Sequence, residues 1–343
     1  MTGKRQGRVE AAAGKAPTVL HKSHHRLERP PFECVALVMQ GGGALGAFQA
    51  GVYEALAESG LLPDWIAGIS IGAINAALIA GNPPEKRVER LREFWEGVSA
   101  PPFAEFPDIA RTLFAGDAAR GLLNQMHAAG ALFRGAPGFF TPRPVPPFLY
   151  PAGTIEATSY YDTSMLRGTL ERLIDFDRIN SGPTRLSVGT VNVRSGNFVY
   201  FDSRTHAIKP EHIMASGALP PGFAPVEIEG ELYWDGGLVS NTPLQWVVQG
   251  AGDRHDTLAL QIDLWSARGE APHDLPEVMT RQKEIQYSSR TRANTDEFKK
   301  IQTVRAALAN KGLSEVVRRP RILARRNHRL CRNFAAAQRR IAG

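Results

Sequence analysis

Two cysteines in 343 residues exclude a scaffold built on disulfides. Cys34 lies within the apolar run Cys34–Met39 and reads as a buried strand residue, so the pair with Cys331 suits a reducing compartment. Neither cysteine belongs to a cluster with metal-ligand spacing. Long apolar runs are also missing: none approaches the roughly 20 residues that span a bilayer. Residues 1–30 lack the continuous apolar core of a secretion signal and read as a disordered basic leader. No internal repeat is present, which removes solenoid and propeller architectures.

Acidic residues are missing from one region in particular. Residues 318–343 hold nine Arg and no Asp or Glu, and residues 1–30 hold seven Lys/Arg against two Glu. A chain of net charge +7 therefore has an acidic body of about −7 between two basic ends. Such ends can be solvated and inert, or attract anionic lipid headgroups or nucleic acid. Membrane attraction is worth about 1 kcal/mol per basic residue near the surface. No specific nucleic-acid site is expected.

Glycine, by contrast, is abundant and placed. Gly68-Ile69-Ser70-Ile71-Gly72 follows the apolar stretch Trp65-Ile66-Ala67 and precedes Ala73, Ile74, Ala77, Leu78 and Gly81, which recur at helical spacing. Gly81-Asn82-Pro83-Pro84 ends that helix. A serine between two glycines at a strand-to-helix turn is a nucleophile candidate, because the turn exposes its hydroxyl and the glycines permit the turn. In a chain of 33 glycines the pentapeptide can also arise by chance.

A second cluster, Gly41-Gly42-Gly43-Ala44-Leu45-Gly46, closes the strand-like run Cys34–Met39 and opens a helix marked by Phe48, Val52 and Leu56. Convergent backbone N–H groups there can hold a phosphate or the oxyanion of an acyl-transfer intermediate. Gly41, Gly43 and Gly46 also fit GxGxxG. The nucleotide reading, however, needs an acid at the end of the second strand, where this chain has Gly68-Ile69-Ser70. A third element, Tyr233-Trp234-Asp235-Gly236-Gly237, sets an acid where an apolar strand breaks into glycines. An Asp there is ordinarily a turn residue. To act as a base for serine it must be desolvated, and Tyr233 and Trp234 could supply that environment.

GGGxxG, GxSxG and DGG in this order resemble the patatin-like phospholipase family. Ala215–Phe223 before the Asp and Asn241-Thr242-Pro243-Leu244 after it add to the likeness, which covers roughly residues 34–265. The segments at 161–164, 175–180 and 197–202 resemble a bacterial subgroup with an added C-terminal region. The resemblance implies a three-layer α/β/α fold with a mainly parallel or mixed central sheet. It implies Ser70 as nucleophile, Asp235 as its dyad partner and Gly41, Gly42 and Gly43 as oxyanion hole, with Gly46, Gly68, Gly72, Gly236 and Gly237 as motif glycines. It implies hydrolysis of a lipid or other acyl ester through an acyl-enzyme, with no metal or cofactor. Many members carry Arg or Lys where Leu45 stands here, so that charge is absent. A Ser-Asp-His triad through His255 is the mechanistic competitor; His206 and His212 precede Asp235 and break the triad's chain order. A noncatalytic lipid-surface or storage-granule protein, and less favourably an NAD(P)-binding oxidoreductase, stay open as alternatives.

The expected organisation is a leader over 1–30, a catalytic domain over 31–268, a mostly helical region over 269–315 and a basic tail over 316–343 to which no fold is assigned. Residues 100–151 are rich in proline and aromatics, including Phe103, Phe106, Phe114, Phe133, Phe139, Phe140, Phe148 and Tyr150. They read equally as a lid or acyl channel and as rings packed over the sheet. Strands are expected at 186–192, 197–201, 226–228, 231–234 and 258–264, and a helix over about 85–98. The expected location is cytoplasmic, with peripheral contact to anionic membrane through the basic ends. Oligomeric state has no signal in the sequence.

Overall fold

A computed structural model of the protein describes residues 28–99, 134–250, 256–310 and 322–326. In chain order these form β1 (Cys34–Met39), α1 (Ala47–Glu58), β2 (Trp65–Ile69), α2 (Ile71–Ala80), α3 (Arg87–Ser99), β3 (Thr141–Pro142) and β4 (Tyr161–Asp162). There follow α4 (Ser164–Leu173), α5 (Phe176–Ser181), β5 (Arg185–Asn192), β6 (Phe198–Asp202), α6 (Pro210–Gly217), β7 (Val226–Ile228) and β8 (Glu231–Asp235). The last elements are α7 (Leu244–Gly250), β9 (Thr257–Ile262), α8 (Leu275–Asn310) and β10 (Ile322–Arg326).

Continuous apolar runs become parallel strands buried on both faces, as such strands must be when helices cover both sides. β10, β9, β1, β2 and β5 run parallel in that order, and β6, β8 and β7 extend the sheet antiparallel. Alternate residues of β1 serve the two faces. Leu37 and Met39 enter the larger core with α1 to α4, while Ala36 and Val38 pack with Leu244 and Val247 of α7 and Phe298 of α8. The result is the three-layer α/β/α arrangement with a mixed sheet that the sequence predicts.

Helix α2 is buried along its whole length, from Ile71 to Ala80. Its sequence, IGAINAALIA, is apolar all round, which suits a central helix rather than an amphipathic surface one. α3 lies outside it and turns Leu91, Phe94 and Trp95 inward. Its first residue is a charged one turned inward. Arg87 is buried, donating to the Asn82 carbonyl at 2.9 Å and the Thr184 hydroxyl at 3.0 Å.

The aromatic segment divides. Phe139 and Phe140 pack with Tyr161, Phe223 and, through Phe139, Phe94, so these rings cover the core. Phe148 and Leu149 are exposed. Phe103, Phe106, Phe114 and Phe133 lie outside the described residues, as do the leader and His255. In the basic tail, to which the sequence assigns no fold, Ile322–Arg326 pairs in parallel with β9. Strand addition uses backbone groups, so composition carries little signal for it. Among the described residues no helix is long and apolar enough to cross a membrane.

Candidate active site

The carboxyl ends of β1 and β2 carry the two glycine motifs, where open α/β sheets form their clefts. Ser70 links β2 to α2 with φ 57° and ψ −129°. That conformation is rare for a residue with a side chain and costs on the order of 1–3 kcal/mol, which the surrounding packing must hold in place. Both flanking glycines are required sterically. A Cβ on Gly68 would collide with the Gly72 carbonyl, and one on Gly72 would sit 2.5 Å from the Met39 carbonyl.

The turn is pinned from α6. The Ser70 N–H donates to the Ser216 hydroxyl at 2.9 Å, and that hydroxyl donates to the Gly189 carbonyl of β5 at 2.7 Å. Ser216 is fully buried. Asp235, at the end of β8, is 2% exposed, and its N–H donates to the Ala218 carbonyl at 3.0 Å. Its carboxylate accepts the Gly237 N–H at 2.7 Å. Burial pushes its pKa up to about 7, against the stabilising influence of the Ser70 hydroxyl and the Gly237 N–H on the ionised form. Gly236 fits against the Gly189 carbonyl, where a Cβ would lie 2.7 Å away.

The glycine loop lies beside this pair, since a Cβ on Gly41 would stand 2.9 Å from the Ser70 Cβ. Gly41 itself is fully engaged. Its N–H donates to the Asn241 carbonyl at 3.2 Å, and its carbonyl accepts from Asn241 Nδ2 and Trp265 Nε1, each at 2.8 Å. Gly42 packs under Leu264, and Gly43 takes φ +56° in open space at the start of the turn Gly43–Gly46. The first N–H groups of such a turn have no partner within it. Gly46 packs against Ile71 and Trp95. Leu45 is exposed beside the loop, as are Leu238 and Val239 just after Asp235.

Several polar residues that organise the loop carry only a faint sequence signal. Gln40, fully buried, accepts the Leu264 N–H at 2.6 Å on its side-chain oxygen, and its backbone carbonyl accepts from Gln49 Nε2 at 2.7 Å. Asn75 of α2 donates to the Gly46 carbonyl at 2.9 Å. A polar residue inside an otherwise apolar run, such as Asn75 in IGAINAALIA, is the one available hint, because burial obliges it to find partners. His206 packs against Phe201 and bonds Thr205, and His212 is buried against Phe201 and the Lys209 backbone. Neither is bonded to Asp235 among the described residues.

The nucleotide reading of Gly41, Gly43 and Gly46 finds Ser70 at the end of β2 in place of a ribose-binding acid. Among the described residues no group of three His, Cys, Asp or Glu could hold a metal ion.

The chain is similar to several lipid enzymes over part of its length. It is 46% identical over 72 residues to "Lysophospholipase nte1" of Aspergillus terreus, covering 21% of this chain and 5% of that protein. It is 38% identical over 79 residues to "Triacylglycerol lipase SDP1L" of Arabidopsis thaliana, covering 23% and 9%. The longest of the three matches is to "Patatin-like phospholipase domain-containing protein ZK370.4" of Caenorhabditis elegans, 28% identical over 221 residues, covering 64% of this chain and 13% of that one. The chain thus spans a small fraction of these curated relatives. VipD from Legionella pneumophila superposes with a TM-score of 0.35 at 18% identity, over 68% of this chain and 50% of that one. The model of the patatin-like phospholipase family matches residues 37–247, a span that holds Ser70, Asp235 and the glycine loop, and the chain belongs to that family.

Proposed function

We propose that the protein is a serine lipid acyl hydrolase of the phospholipase A or esterase type, working through a Ser70–Asp235 dyad. The observation that carries this is a strained, turn-borne serine whose hydroxyl favours the ionised form of a buried carboxylate, the burial raising that carboxyl's pKa to about 7. A base poised near the working pH can both take and return a proton.

In the first half-reaction Ser70 Oγ attacks the ester carbonyl carbon as its proton passes to Asp235. The carbonyl oxygen becomes an oxyanion facing the Gly42 and Gly43 N–H groups, with Gly41 giving close approach rather than a donor. Collapse breaks the bond to the alcohol oxygen, which leaves with the proton from Asp235, and the acyl group stays on Ser70. Water then repeats the sequence and releases the carboxylic acid.

A lipid ester substrate is supported by the family, by the names of the partial relatives and by the exposed apolar side chains Leu45, Leu238 and Val239 beside the two motifs. The basic ends of the chain, outside its acidic body, suit peripheral contact with an anionic membrane.

The test is a panel of acyl esters varied in chain length and headgroup, comparing the wild type with Ser70→Ala and Asp235→Asn. Wild-type turnover that both variants abolish while staying folded is expected, with fluorophosphonate labelling lost in Ser70→Ala. Full turnover in either variant refutes the dyad.

A further inference from the structure

Helix α8 lies beyond the 37–247 family segment, yet one of its faces meets both halves of the site. Tyr287, Arg290 and Thr291 share that face, being three and four residues apart. Thr291 Oγ1 accepts from Gln40 Nε2 at 2.9 Å and lies 2.8 Å from the Thr242 hydroxyl. Gln40 is the residue before the glycine loop, and Thr242 follows the Asn241 that holds Gly41 from both its N–H and its carbonyl. Tyr287 packs on Trp265 with ring centroids 5.2 Å apart, and the Trp265 indole donates to the Gly41 carbonyl. On the other half of the site, Arg290 Nη1 donates to the carbonyls of Leu238 and Val239 at 2.8 and 3.0 Å, directly behind the Asp235 turn.

Arg290 is exposed and reaches in from the surface, whereas the Thr291 contacts are polar where packing alone would take an apolar side chain. Thr291 and Thr242 are 3% and 2% exposed, and the Gln40 side chain between them and the Leu264 amide is fully buried. A buried network of this kind is favourable only when every member is satisfied, and it then fixes one geometry. Fixed geometry is what an oxyanion site needs, since its donors must stay within about 0.5 Å of their working positions.

We propose that α8 is a positioning element for catalysis: Thr291 holds the glycine loop and Arg290 holds the turn after Asp235, so that both stay in register with Ser70. The inference rests on the dyad reading above. It extends the catalytic unit to a helix outside the family segment, and makes Thr291 and Arg290 positioning residues of the reaction.

The test uses the full chain with Thr291→Val, which keeps shape and removes the hydroxyl, Thr291→Ser, which restores it, and Arg290→Met, which removes the donors and keeps the stem. Steady-state hydrolysis of p-nitrophenyl butyrate is expressed per site titrated by fluorophosphonate at its end point, beside the melting temperature. Thr291→Val and Arg290→Met are expected to lower kcat by about tenfold to a hundredfold, with KM changed by less than about twofold and Thr291→Ser within about threefold of wild type. Wild-type kcat per titrated site in both Thr291→Val and Arg290→Met, whatever the melting temperature, overturns the proposal and leaves α8 as packing. Should Thr291→Val not fold, Arg290→Met decides by the same criterion. A wild type that neither labels at Ser70 nor turns over removes the dyad reading itself, an outcome distinct from either.

Discussion

Ile69 and Asp235 occupy consecutive places along one edge of β5: Ile69 pairs with Gly189, and Asp235 with Thr190. β6 takes the opposite edge, because residues 187–191 pair with it at the same time. β2 therefore stops where β8 begins. Ser70 is the first residue to leave the vacated edge, which is how a serine and an aspartate 165 positions apart come into the same neighbourhood.

The raised pKa of Asp235 fixes two pH dependences. As the base must be ionised, kcat/KM for a soluble ester is expected to rise with pH through about 7 and then level. Stability runs the other way. A carboxyl whose pKa is 3.8 unfolded and about 7 folded binds its proton more tightly when folded, so the native state loses stability as pH rises through that window. Asp235→Asn should unfold at a higher temperature than wild type at pH 8, with the difference shrinking toward pH 4. Equal melting curves at pH 8 would contradict the burial of a charged Asp235.

Ser216 is predicted to matter through Ser70. Ser216→Ala leaves the Ser70 N–H and the Gly189 carbonyl without their bridging hydroxyl, at about 1–3 kcal/mol for a buried unpaired group. It also frees the turn, so kcat per titrated site should fall by about tenfold or more while KM holds. A variant that loses stability but keeps kcat would make Ser216 a packing residue.

Gly41 and Gly43 should respond differently to alanine. A Cβ on Gly41 meets the Ser70 Cβ at 2.9 Å, so Gly41→Ala should lose activity by about a hundredfold or more. At Gly43 there is open space and the amide is kept, so the change costs about 1–2 kcal/mol of backbone preference and less activity. Comparing ester hydrolysis of the two separates steric from conformational demands on the loop.

Phe148 and Leu149 stand 78% and 67% exposed, whereas Phe139 and Phe140 pack against neighbouring rings. Replacing both by serine should reduce hydrolysis of ester lipids in anionic vesicles while leaving short soluble esters untouched. Equal losses on both substrates would count against a surface-binding role.

His255→Ala should be silent in ester turnover under a two-residue mechanism. A large loss would restore the triad.

The parallel strands β1, β2, β5 and β9 and helix α2 were legible because they are apolar runs; β10, in the arginine-rich tail, was not. The glycine motifs were legible because close approach excludes a side chain at Gly41, Gly42, Gly46, Gly68, Gly72 and Gly236, and a positive φ favours glycine at Gly43. Less of the support was readable. Ser216, Gln40 and Thr291 owe their places to hydrogen bonds between segments up to 251 residues apart, and no local period encodes such pairings. The bond from the Gly41 amide to the Asn241 carbonyl likewise joins distant segments that only the folded chain brings together.

Helix α2, sealed on every side, also limits how this scaffold can diversify. No residue of it can grow without shifting the serine at its head, so the pedestal resists evolutionary tinkering. Novelty in what is accepted must come from the rim, where Leu45, Leu238 and Val239 are exposed and can change without disturbing the buried residues beneath.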